Sequence, residues 1–72
     1  MTGESTYKMV EIVGTSKTSW EEAARAAVGS AGKSVKDLRI AEVVKMDMTI
    51  EKGKVALFRV RITLSFKYHG EK

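Results

Sequence analysis

The sequence has no cysteine, one histidine, one tryptophan and no apolar run long enough to span a bilayer. Without cysteine there are no disulfides, no thiolate nucleophiles and no cysteine-ligated metals, a usage consistent with a reducing compartment. His69 stands alone in a polar tail, with no second histidine or placed carboxylate at metal or triad spacing, so neither chemistry has support there. The opening residues, Met1 to Lys8, lack the apolar core of a signal segment. These absences lead to the expectation of a soluble, cytoplasmic protein that does not associate with a membrane.

What is present fits one small domain covering residues 1–72, with a polar lead-in at 1–6 and a polar tail at 69–72. No repeat, low-complexity segment or linker divides it. A chain of this size buries only roughly 60% of the surface that its unfolded form exposes, so its core is marginal. The net charge of +4 is mildly basic, enough to bias encounters towards anions but too little to identify a nucleic-acid partner.

The stretch from Leu38 to Tyr68 carries the clearest pattern. Leu38, Ile40, Val44, Met46, Met48 and Ile50 share one parity, and Ala56, Phe58, Val60, Ile62, Leu64, Phe66 and Tyr68 repeat it after Glu51-Lys52-Gly53-Lys54. Two strands joined as a hairpin with one apolar face follow from this alternation, and only Glu42 interrupts the apolar set. Ile50 opposite Lys54 or opposite Ala56 keeps the parity, whereas Ile50 opposite Val55 does not. Gly53 as a left-handed third loop residue favours Lys54, and an Asp47–Arg59 pair across the strands favours Ala56.

Upstream, Tyr7 to Val13 reads as a first strand, and Gly14 to Thr18 as turn formers. Ser19 with Glu22 three residues later forms a capping box in sequence, and two acidic residues in the first turn suit the positive end of a helix dipole. Trp20, Ala23, Ala24, Ala27, Val28 and Ala31 then recur at helical spacing, with Gly32 as the stop. Strand, helix, strand, strand gives an α+β chain: a three-stranded antiparallel sheet of order 1-3-2 wrapped around one helix. Strands of about thirteen residues span roughly 43 Å, while a thirteen-residue helix covers only about 20 Å. Much of the apolar hairpin face is therefore uncovered, and an obligate homo-oligomer is expected.

Several positions invite a functional reading beside a plainer one. Gly14 to Ser19 precedes a helix N-terminus where phosphate can bind, but it lacks the lysine and spacing of a phosphate loop and is read as a turn with an N-cap. Glu42 is read as a carboxylate paired across a subunit interface. Trp20 is read as a packing residue at the helix end rather than a stacking platform. Arg39, Lys45, Arg59, Arg61 and Lys67 share the polar face of the hairpin without interleaved aromatics, a pattern of a solvated or salt-bridged surface rather than a nucleic-acid interface.

Val-Glu-Ile-Val-Gly-Thr-Ser at 10 to 16, Ser19 before an alanine-rich helix, Ala41-Glu42-Val43-Val44 and Ser65-Phe66-Lys67 resemble the dodecin family of small flavin-binding proteins over nearly the whole chain. The resemblance implies a β-α-β-β subunit in a hollow homododecamer that is not an enzyme and that binds, stores or sequesters a small ligand, FMN or riboflavin. It also implies that the flavin positions are occupied here by Ile40 and Arg59, where flavin-binding members carry a stacking tryptophan and a glutamine. An isoleucine has no ring face, and arginine lacks an amide's paired donor and acceptor, so the site is altered. Thr18-Ser19-Trp20-Glu21 without the stacking tryptophan resembles a calcium-binding branch of the family, which implies a calcium-holding shell as the alternative. A basic module for anionic polymers is the further alternative.

Overall fold

The computed structural model describes residues 5–68; His69 and the rest of the tail lie outside them, as do the first four residues of the lead-in. The elements are β1 (Tyr7–Ser16), α1 (Trp20–Gly32), β2 (Leu38–Glu51) and β3 (Lys54–Lys67). They form one antiparallel sheet of order β1-β3-β2, as the strand and helix pattern predicts. The helix returns the chain so that β1 and β2 run the same way, and β3 fits between them.

β1 is three residues longer than the alternation indicates. It continues through Gly14, Thr15 and Ser16, which pair with Val60, Arg59 and Phe58. Gly14 is not a turn residue but the place where the helix lies closest to the sheet. A Cβ at this position would collide with the Ala23 carbonyl oxygen and lie 2.8 Å from the Ala27 Cβ. Small residues on both sides bring the two backbones together, at the cost of supplying little apolar area of their own.

Ser19 caps the helix as expected, accepting the Glu22 amide at 3.0 Å. The reciprocal half of the capping box is not made. The Glu22 carboxylate turns to Arg25 at 2.9 Å, and the Ser19 amide donates instead to Ser16 Oγ at 3.4 Å. At the other end Gly32 is the last helical residue and does not take a left-handed conformation. The closing turn is held by the amides of Ser34 and Val35, both donating to the Ala31 carbonyl.

The hairpin departs from strict alternation at three places. Arg39 and Val44 are extra residues on β2, and Ala56 is an extra residue on β3. Each such bulge moves the residues beyond it to the other face of the sheet. Asp47 does stand opposite Arg59, but the bulge at Ala56 sets Ile50 against Val55, the register that parity rejects. The loop is the two-residue pair Lys52-Gly53, with φ of 53° and 76°, as the right-handed twist of a hairpin favours.

The bulges also redistribute the apolar residues. The helix side of β2 carries Leu38, Ala41, Val43, Met46 and Met48, opposite Phe66, Leu64, Ile62, Val60 and Phe58. Ile40 falls on the face away from the helix, while Ile50 keeps the facing of Met46 and Met48, because the last bulge lies on β3 and β2 runs regularly from Lys45 onward. Glu42, opposite Thr63, falls on the same face as Ile40 and does not interrupt the apolar face.

The buried core consists of Ala23, Ala27, Val60, Ile62 and Leu64, with Ile12, Trp20, Val28 and Leu38 packed around it. This is little for a chain measuring 57 × 20 × 16 Å with a radius of gyration of 15.1 Å, against about 11 Å for a compact chain of this length. Met46 and Ile50 are more than half exposed, at 56% and 58%.

Candidate functional site

The face of the sheet away from the helix holds the positions singled out by the sequence. Reading across β1, β3 and β2, its rows are Met9, Ser65 and Ile40; Glu11, Thr63 and Glu42; Val13, Arg61 and Lys45; and Thr15, Arg59 and Asp47. Apolar contact therefore lies at one end of the face and charge at the other.

Arg59 is held in place. Its Nε and Nη2 donate to Asp47 Oδ1 and Oδ2 at 2.8 and 2.9 Å, a two-pronged pair across the strands. The hydrogen bond from Arg59 holds the Asp47 carboxyl below its ordinary value, aided by the positive charges of Arg59, Arg61 and Lys45 and opposed by desolvation. The same carboxylate raises the Arg59 pKa further. Both side chains are more than two-fifths exposed, so the pair fixes geometry more than it adds stability.

Asp47 also joins the hairpin to the helix. Its carbonyl accepts the Trp20 indole Nε1–H at 3.0 Å, and the Trp20 ring meets Phe58 edge to face with centroids 5.0 Å apart. Trp20 thus packs at the helix start with its one donor satisfied, and its ring is committed to Phe58.

Ile40 and Arg59 are not brought together within one chain. Ile40 pairs with Ser65, six residues from Arg59 along β3, a separation of roughly 20 Å. A ligand touching both positions must lie between copies of the chain. Ile40 itself is 56% exposed. Glu42 is exposed and sits two rows from Asp47. No salt bridge involves Glu42, Lys45 or Arg61 among the described residues, and no group of three or more His, Cys, Asp or Glu side chains there is placed to hold a metal.

On the other face, an open apolar hollow of about 380 Å³ separates the second half of α1 from β1, with Ile12, Ala27, Ala31, Val35 and Leu64 in its wall. No helix among the described residues is long and apolar enough to cross a membrane.

The uncovered hairpin, the short helix closed over Gly14 and the 1-3-2 sheet have a counterpart among known proteins. Residues 6–69 match the dodecin family model. The chain belongs to the dodecin family. It is 44% identical over 63 residues to calcium dodecin of Mycobacterium tuberculosis, a match covering 88% of this chain and 89% of that one. Among solved structures, dodecin from Streptomyces coelicolor superposes with a TM-score of 0.90 at 33% identity, covering 97% of this chain and all of its own. The structure of the Mycobacterium tuberculosis calcium dodecin, described as calcium chelating with a novel calcium-binding site, gives 0.81 at 43% identity, covering 94% and 97%.

Of the residues that matter on this face, Asp47 entered the sequence reading only as a clue to register. Its link to Trp20 has no sequence signal, because a backbone carbonyl can be contributed by any residue.

Proposed function

We propose that this protein is a non-enzymatic dodecin shell, a cytoplasmic homododecamer that takes up and holds a small ligand of the flavin class between its subunits. The observation that carries the reading is the apolar surface of β2, which one chain cannot bury and a second copy can. Ile40 and Arg59 contribute to the ligand site from different subunits. Their chemistry fits a flavin weakly: Ile40 offers contact without a ring face, and Arg59 is already occupied by Asp47.

The test is a riboflavin fluorescence titration of the assembled protein beside the double variant Ile40→Trp, Arg59→Gln. Stacking and one good hydrogen bond together supply roughly 2 kcal/mol, so the variant is expected to bind at least about tenfold more tightly. Equal quenching by the unmodified protein would remove these two positions from the site.

The identity to calcium dodecin favours a second reading, a shell that holds calcium. Calcium takes six to eight oxygen ligands, and the described residues of one chain do not gather even three side-chain candidates. Calcium fits this chain only where carboxylates from more than one copy meet. Equilibrium dialysis against calcium at sub-millimolar concentration separates the two readings. The basic face offers less to an anionic polymer than its composition indicates, since Arg59 is engaged by Asp47.

A further inference from the structure

Lys45 and Arg61 stand directly opposite each other on β2 and β3, on the face away from the helix. Like charges directly opposite on neighbouring strands repel. The one carboxylate in the adjoining row, Asp47, has both oxygens occupied by Arg59. Glu11 and Glu42 lie in the row on the other side, and neither forms a salt bridge with Lys45 or Arg61 among the described residues. Lys45, Arg59 and Arg61 against Asp47 leave an excess of two positive charges around a single spot. At that spot the surface dips into a hollow of about 20 Å³ lined by Val13, Lys45, Asp47, Arg59 and Arg61, room for about one water-sized oxygen.

We propose that Lys45 and Arg61, with the free edge of the Arg59 guanidinium, bind a phosphate group, free or as a monoester. A phosphate dianion matches the charge excess, and one of its oxygens fits the hollow. The planar Arg61 guanidinium offers two parallel donors to such a group, while Lys45 supplies a mobile point charge from the opposite strand. Asp47 binds no phosphate itself. It fixes the orientation of Arg59 by using the Nε and Nη2 donors, which leaves Nη1 for a ligand. The site does not depend on a flavin, and the test uses none.

Calorimetric titration of the assembled full chain with inorganic phosphate, at constant ionic strength, is expected to give saturable binding near one phosphate per chain. Arg61→Gln is expected to weaken it about tenfold, the loss of one charge-assisted pair. Lys45→Gln weakens it several-fold, and the control Lys36→Gln leaves it unchanged. Arg61→Lys keeps the charge and retains part of the binding, which separates loss of the site from loss of the fold. Glycerol 3-phosphate titrated beside glycerol distinguishes the sources: tighter binding of the ester than of inorganic phosphate makes a monoester the ligand, and the reverse makes it the free ion. Heat without saturation, or affinity unaltered in Arg61→Gln, overturns the proposal. So does a protein that ignores phosphate but loses its assembly in Arg61→Gln, because the counter-charge is then a carboxylate of a second copy.

Discussion

Around Gly14, Ala23 and Ala27 the chain is packed until a methyl group no longer fits, whereas eight residues of β2 in succession, Arg39 to Met46, are exposed. The two regions belong to one sheet and share β3 as their common strand. On the β1 side, β3 presents Val60, Ile62 and Leu64 to a helix that is close because its facing residues are small. On the β2 side, Met46 and Met48 face the same way as Val60 and Phe58, but the helix is seated over β1 and β3, and Trp20 at its start reaches this part of β2 through the Asp47 carbonyl. A 13-residue helix closes one part of a hairpin whose two strands have 14 residues each, and the remainder is left open in a single chain.

The sharpest way to break that comparison is to make the open part unfit for a partner. Met46→Asp combined with Met48→Asp places charge where apolar contact is needed, while replacing no residue of the buried core. The expected outcome by light scattering is loss of the particle of many times 8.0 kDa, with no stable folded monomer left behind at micromolar concentration. A compact, folded monomer from either the variant or the parent would show that the local core suffices alone.

Within the closed part, two glycines give opposite predictions. Gly14→Ala must push Ala23 and Ala27 away from the sheet, and overpacking of this kind costs about 2 kcal/mol per subunit. Gly29→Ala meets nothing within contact distance and should stabilise the helix by up to about 1 kcal/mol. Chemical denaturation of both variants checks this; midpoints displaced in the same direction would mean that the helix is not seated on Gly14.

Much of this division was legible in the sequence. Ser19 and the alanine spacing located the helix, and the alternation of Phe58 through Leu64 located the central strand. What failed was the assumption that alternation is continuous. Arg39, Val44 and Ala56 carry no chemistry that marks a bulge, yet each reverses the facing of the residues beyond it on its own strand, and so Ile40 and Glu42 were assigned to the wrong side. Gly14 was misread for a different reason. A glycine before a Ser/Thr-rich stretch signals a turn locally, while its reason here is nonlocal, a helix nine and thirteen residues further on. The candidate site was legible as residue types, in Arg59 and Lys45, but not as an arrangement, because only the register shows which cations share a row.

The helix cap tests the boundary between the two regions at smaller cost. Ser19→Ala removes the acceptor of the Glu22 amide and should lower stability by about 1 kcal/mol per subunit. Ser16→Ala, which leaves the Thr18 and Ser19 amides without their acceptor, should cost less, since the bond to Ser19 is long at 3.4 Å and water replaces the hydroxyl at the exposed Thr18 amide. The denaturation midpoints rank the two.

The smallest expected effect lies on the open side, in the Asp47–Arg59 pair, and pH reveals it. Asp47 has its pKa lowered from 3.8, first by the Arg59 hydrogen bond. A carboxylate with a depressed folded-state pKa adds stability that is fully present above its unfolded value, about 3.9, and that disappears as pH falls through the lower folded value. Arg59, whose pKa the Asp47 hydrogen bond raises further, stays charged throughout this range and adds no pH dependence of its own. The pair therefore contributes unchanged from neutral pH down to about pH 4 and is lost only below it. Other carboxylates titrate in the same window, so the informative quantity is the difference between the parent and Asp47→Asn. The gap between their denaturation midpoints should be constant above pH 5 and shrink towards zero as the acid side is reached. High salt should narrow the same gap at neutral pH, because both side chains are open to solvent and ions screen them. Parallel curves across the whole range would mean that Asp47 does not hold Arg59 in solution, and the fixed orientation on which the phosphate site relies would go with it.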